Sequence, residues 1–235
     1  MATLKSSADP RIRPHGDEIL DAPDVDPALA RRSLRDVMLA NSLMGGTRAV
    51  MHELESIIPS LPKRATLLDV GTGMGDIPRR AREVAAQRGV TLDTVGLEAA
   101  EWLAAAARTS TTAAVVGDGR FLPFASHSVD VVICSQVLHH FFDHDAVALL
   151  QELNRVARVG VIVSDLLRSD LAVAGLWLFS FVLGFHPVSR HDGIMSIRRG
   201  FTPGELGTIV RSATGAQPRI REYLGFRVAA AWAPT

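Results

Sequence analysis

The sequence predicts an α/β fold: a mostly parallel sheet with helices on both faces, a helical cap before its first strand and an antiparallel last strand. Three observations predict it. A short apolar run at Leu67, Leu68 and Val70 enters a loop with glycines at 71, 73 and 75, and Asp76 and Pro78 then open a helix. That is a strand, a tight turn and a helix start, since glycine tolerates positive φ and proline suits a first helical turn. Stretches of strand length then alternate with stretches of helical spacing as far as residue 164. Last, residues 220–224 and 226–232, separated only by Gly225, form a closing antiparallel pair.

The composition sets the frame. At 235 residues and 47% hydrophobic content the chain is long enough for one large domain with its own core, expected over residues 27–235. Residues 1–26 carry Pro10, Pro14, Pro23 and several aspartates without periodicity, and are expected to form an extended or loosely ordered arm. Lysine plus arginine equals aspartate plus glutamate, 25 against 25, so there is no electrostatic footprint of general nucleic-acid binding and no nucleic-acid partner is expected. The single cysteine, Cys134, has no partner for an intramolecular disulfide, and the first thirty residues lack a basic end and an apolar run. A cytoplasmic protein is expected.

In chain order, residues 27–61 place Leu29, Leu34, Val37, Met38, Leu43, Val50, Met51, Leu54 and Ile57 at mostly helical spacing broken at Gly45 and Gly46. Two amphipathic helices fit, covering a sheet edge, the pocket, or both. Residues 77–88 are expected as a helix and 91–97 as a second strand, a right-handed βαβ unit. Residues 111–116 are a third strand and the near-continuous apolar run 129–134 a fourth, buried on both faces. Residues 143–156 are helical and 159–164 a fifth strand, with Asp165 at its tip.

Residues 171–185 contain no charge. They are too short to span a membrane, which takes about 20 apolar residues, so no membrane span is expected. The stretch is expected as an apolar lid or pocket wall within an acceptor-side insertion at 165–201; the alternatives are a core helix or a homodimer interface. Residues 186–199 are expected as a polar, turn-rich return, and Thr202 with Glu205 makes a capping-box pattern for one more helix.

The glycine loop carries functional information. A dinucleotide fingerprint needs a third glycine where this chain has Asp76, which counts against an NAD-dependent oxidoreductase. Asp69 followed by Gly71, Gly73 and Gly75 instead resembles motif I of the class I S-adenosylmethionine-dependent methyltransferases. Glu98, 23 residues past Gly75, the Gly117-Asp118-Gly119-Arg120 turn, and the phrase from Leu122-Pro123-Phe124 to Val132 resemble the later motifs in order. The resemblance covers about residues 65–232 and implies a Rossmann-like seven-stranded sheet and S-adenosyl-L-methionine as cofactor. It implies cofactor contacts at Asp69, Gly71, Thr72, Gly73, Gly75, Glu98, Ala99, Asp118, Gly119, Ser135 and Gln136. Glu98 would hold the ribose and Asp118 the adenine amino group.

The fourth strand ends in Cys134-Ser135-Gln136-Val137, unlike the Asn/Asp-Pro-Pro-Tyr/Phe tetrad of amide-directed and many nucleobase enzymes. Leu138-His139-His140-Phe141 resembles the small-molecule branch that includes quinone-biosynthesis methyltransferases. A turn of the Lys-Pro-Gly-Gly kind before the fifth strand is missing; Ala157-Arg158-Val159-Gly160 stands there.

These features lead to an expected enzyme that methylates a small, apolar or aromatic acceptor, most simply on oxygen. The alternatives are C-methylation of a quinone or polyketide precursor and an inactive cofactor-binding regulator or partner subunit. His139, His140 and His191 are the candidate bases, since an imidazole titrates near neutrality, each with a structural role as its alternative. Adjacent histidines without a second ligand pair do not suit a metal site, and none is expected.

Overall fold

The computed structural model describes residues 45–235 together with Ile19, Asp26, Leu29, Arg32, Ser33, Arg35, Asp36, Leu39 and Ala40. Apart from those nine positions, the expected arm at 1–26 and the helix expected before Gly45 lie outside the described residues.

Seven strands form one sheet: β1 (Arg64–Val70), β2 (Thr91–Glu98), β3 (Ala113–Val116), β4 (Val129–Ser135), β5 (Ala157–Leu166), β6 (Arg219–Tyr223) and β7 (Arg227–Trp232), in the order β3-β2-β1-β4-β5-β7-β6. β1 to β5 run parallel, and β7 inserts antiparallel between β5 and β6. Among the described residues there are seven α-helices: α1 (Gly46–Ile57), α2 (Asp76–Ala86), α3 (Glu101–Ala107), α4 (Asp143–Val156), α5 (Asp170–Val182), α6 (Pro187–Arg199) and α7 (Pro203–Thr214).

The period-two geometry of a strand distributes apolar residues between two cores. Leu68, Val132, Cys134 and Val163 pack with α4 and α7, whereas Leu67, Val131, Ile133 and Ile162 pack with α1 and α2. β4 is buried along its whole length, as its near-continuous apolar run requires of a central strand. α7 begins with a complete capping box, Thr202 with Glu205. α1 is tied to the far edge of the sheet: the fully buried Glu53 accepts from Arg219 Nη2 at 2.5 Å and from the Tyr223 hydroxyl.

Two expectations are corrected. Residues 186–199 are not a turn-rich return; Pro187–Arg199 is helix α6, with Pro187 in its first turn and His186 Nδ1 accepting the Val188 N–H. The helical period is present but carried by polar side chains: Ser189, Asp192, Ser196 and Arg199 share one face and are buried. A search for apolar periodicity passes over such a helix. Residues 171–185 do form a helix, α5, but it packs on α6 through Ala172 and Leu176, and none of its residues lines the cavity described below. Its outer surface, including Trp177, Leu178, Phe179 and Val182, is exposed. Because α5 is apolar on all sides, its sequence does not say which side packs.

Candidate functional site

Between β1 and β4 the strand order reverses, the position at which an open α/β sheet leaves a crevice beyond its carboxyl ends. A cavity of about 630 Å³ lies there, lined by the segments that follow β1, β2, β3 and β4. Its size falls within the range of about 300–1,000 Å³ common to small-molecule sites.

The first wall is the glycine loop. Gly71, Gly73 and Gly75 all have positive φ, but their surroundings differ. A Cβ at Gly71 would strike Val137 and one at Gly75 would strike Ser110, whereas one at Gly73 would meet nothing within 4 Å. Gly73 therefore presents bare main chain to the cavity. Its N–H donates to Glu98 Oε2 at 2.9 Å, and the Ala99 N–H donates to Glu98 Oε1 at 3.1 Å. Gly71 and Thr72 donate their amides to Leu97 O, so the loop is closed against the end of β2.

The third segment is brought close by Gly119, where a Cβ would collide with Leu149 and Val70. Next to it, the Asp118 carboxylate is held by Arg120 at 2.6 Å, and Arg120 also pairs with Asp145 at 2.8 Å. The guanidinium holds the Asp118 carboxyl below the usual carboxylate range. Ser135, Gln136 and Val137 form the fourth wall, with Gln136 at φ 57°.

Of the eleven residues expected at the cofactor, Gly71, Thr72, Gly73, Glu98, Ala99, Asp118, Gly119, Ser135 and Gln136 line this cavity; Asp69 and Gly75 do not. Gly75 is the residue from which α2 starts. Asp69 is 1% exposed at the end of β1, and burial, reinforced by the charges of Asp76 and Glu98, pushes its carboxyl up to about 8. The Thr72 hydroxyl opposes that shift without a hydrogen bond of good geometry. Neither Asp69 oxygen, nor the Thr72 or Ser135 hydroxyl, has a hydrogen-bond partner among the described residues. Buried polar atoms of this kind are costly unless a ligand, water or proton satisfies them. With Asp76, Glu98 and Asp118 on the wall against Arg120 alone, the site suits a ligand with cationic groups.

The three candidate histidines are not gathered together. His140 lines the cavity. His139 is buried behind it, with ring centroids 4.2 Å apart, and its Nδ1 lies 2.7 Å from Asp165 Oδ1. His191 is on α6, half-exposed, with Nδ1 2.9 Å from Asp192 Oδ1, and does not reach the cavity. Cys134 is fully buried, and that burial pushes its thiol up, away from nucleophilic use. No group of His, Cys, Asp or Glu among the described residues suits a metal ion, and no helix there is long and apolar enough to cross a membrane.

Sequence reasoning did not single out Thr47 or Arg120 as site residues. Thr47 reaches the cavity from the start of α1, where its hydroxyl donates to Asp76 Oδ2 at 3.3 Å; no local signal marks it. Arg120 had one, a charge directly after Gly117-Asp118-Gly119.

Taken together, the strand order, the antiparallel β7 and the cavity at the switch point define a Rossmann-like methyltransferase fold. Residues 68–164 match the family described as methyltransferase domain, so the resemblance to the class I S-adenosylmethionine-dependent superfamily extends from motifs to domain. Among solved structures, a SAM-dependent methyltransferase from Aquifex aeolicus is 15% identical, with TM-score 0.55, over 77% of this chain and 89% of the other. Magnesium protoporphyrin IX methyltransferase from Synechocystis PCC 6803, with bound SAH, is 14% identical, with TM-score 0.56, over 91% and 90%. A possible histamine N-methyltransferase from Thermotoga maritima is 15% identical, with TM-score 0.55, over 87% and 99%. At these identities the likeness is one of fold. No curated protein matches the sequence.

Proposed function

We propose that the protein transfers a methyl group from S-adenosyl-L-methionine to an oxygen of a small acceptor. The observation that carries this is the cavity itself, with open main chain at Gly73, the Glu98 carboxylate beside it and unsatisfied buried polar atoms at Asp69, Thr72 and Ser135. In this reading Gly73, Glu98 and Ala99 hold the ribose and methionyl side, and Asp118 and Gly119 hold the adenine. The bound cofactor supplies an electrophilic methyl group on a sulfonium.

What remains for the protein is alignment and exclusion of water. Gln136, Val137 and Phe141 shape the wall on the β4 side, where an apolar or aromatic ring would pack. His140, the candidate histidine that reaches the cavity, takes the proton of the acceptor hydroxyl. α5 no longer supports the apolar acceptor, since it lines none of the cavity; Val137, Phe141 and Leu149 do.

The test is calorimetry with the cofactor and its demethylated product, followed by turnover on phenolic, quinol and carboxylate panels read by mass spectrometry. A mass gain of one methyl group on oxygen supports the proposal. Methyl on carbon would replace it with C-methylation, and cofactor binding without any turnover would leave a binding module.

A further inference from the structure

β5 is apolar through Val161, Ile162 and Val163, and then places a carboxylate, Asp165, at zero exposure. A buried carboxylate costs several kcal/mol unless donors surround it. Three converge on this one: the His139 backbone N–H to Oδ2 at 3.1 Å, His139 Nδ1 to Oδ1 at 2.7 Å, and the Leu166 N–H to Oδ1 at 2.7 Å. An ionised carboxylate accepts only, so Nδ1 of His139 carries a hydrogen. Burial pushes the Asp165 carboxyl up, but attraction to His139 and the hydrogen bonds from these donors outweigh it and hold the group below its usual range. The buried Arg227 guanidinium and His140 also face it electrostatically.

The two ends of this arrangement lie on different sides of the cavity wall. His139 belongs to the short 3₁₀ turn Leu138–His140 between β4 and α4, and the next ring along that turn, His140, is on the wall. Two bonds from one carboxylate to one residue fix both the turn and the orientation of the ring against which His140 lies.

We propose that Asp165 is a positioning residue for methyl transfer, acting through His139: it fixes the Nδ1–H tautomer of that imidazole and seats the turn that brings His140 to the acceptor. This rests on the oxygen-methylation reading above, in which His140 meets the acceptor hydroxyl. Packing alone would be met by an apolar residue. The pair Asp165 and His139 is instead an arrangement in which a carboxylate orders an imidazole, here the ring against which His140 lies.

The experiment uses the full chain with Asp165→Asn. Asparagine offers one acceptor and one donor group to three N–H donors, so the His139 ring is expected to turn to its Nε2–H tautomer, seen in its ¹⁵N shifts. With it, the turn that seats His140 loosens and kcat is expected to fall about 10- to 100-fold, the scale of misplacing a reacting group by about 1 Å, while cofactor Kd and acceptor KM stay within about 2-fold. A tautomer change without a fall in kcat per folded molecule would overturn the proposal. His139→Gln decides the matter if Asp165→Asn does not fold, since glutamine retains a donor for the carboxylate but no imidazole; undiminished kcat there also overturns it. A wild-type chain that binds cofactor but methylates no acceptor removes the parent reading, and this one with it.

Discussion

The Gly73 N–H and the Glu98 carboxylate meet at 2.9 Å, so the loop after the first strand and the acid after the second form one hydrogen-bonded wall. Whatever enters the cavity competes for, or completes, that contact.

Gly73→Val is expected to fold and to lose the cofactor. The loop has φ 55° there and no neighbour within 4 Å of an added Cβ, so the strain is about 1–2 kcal/mol and the branched side chain projects into the cavity. Calorimetry should show affinity for S-adenosylhomocysteine reduced by more than about 100-fold, with far-ultraviolet circular dichroism unchanged. Undiminished affinity in a folded variant would make the loop an ordinary turn.

Glu98→Gln keeps the size of the side chain and an oxygen for Gly73, and removes the charge. Hydrogen bonds to charged groups contribute about 1.5–3 kcal/mol, so cofactor affinity is expected to fall about 10- to 100-fold while the urea midpoint barely moves. A large stability loss with unchanged affinity would place the role of Glu98 in the fold alone.

Asp69 couples stability to pH. Its carboxyl is raised from 3.8 to about 8 by burial, so between those values the folded chain keeps a proton that the unfolded chain has lost. Stability therefore falls as pH rises through this window, by up to about 1.4 kcal/mol per pH unit from this group, and levels off above it. Asp69→Asn should remove that slope and be more stable than the wild type at pH 8. Urea denaturation at pH 5.5 and 8.0 measures it; parallel slopes in the two proteins would contradict the assignment.

Glu53→Ala should destabilise the protein by about 3 kcal/mol. Glu53 is fully buried on α1 and accepts from the half-exposed Arg219 and from Tyr223 of β6, and hydrogen bonds to a charged group contribute about 1.5–3 kcal/mol. Because Thr47 on the same helix lines the cavity, the variant should also bind the cofactor less tightly. Denaturant unfolding with and without S-adenosylhomocysteine separates the two effects.

What the sequence by itself determined is what short-range physics controls. The Leu67 to Pro78 junction, the near-continuous apolar run of β4 and the Thr202–Glu205 capping box each carry their own signal, in φ tolerance, burial or helix-end hydrogen bonding, and together they point to the α/β sheet; the motif resemblance supplies the residues expected at the cofactor, nine of which line the cavity. Only the tertiary structure decided which members of each motif face inward. Three loop glycines look alike in sequence, but only Gly71 and Gly73 line the cavity, and of these only Gly73 has open space where a Cβ would stand, because Val137 covers Gly71 as Ser110 covers Gly75. Adjacent histidines at 139 and 140 separate into a buried ring locked by Asp165 and a ring on the wall, since that carboxylate comes from a strand 26 residues away. α6 was missed because its buried face is polar, and α5 was misplaced because it is apolar all round. In both helices the packed side is chosen by long-range neighbours, which leave no local periodicity to find.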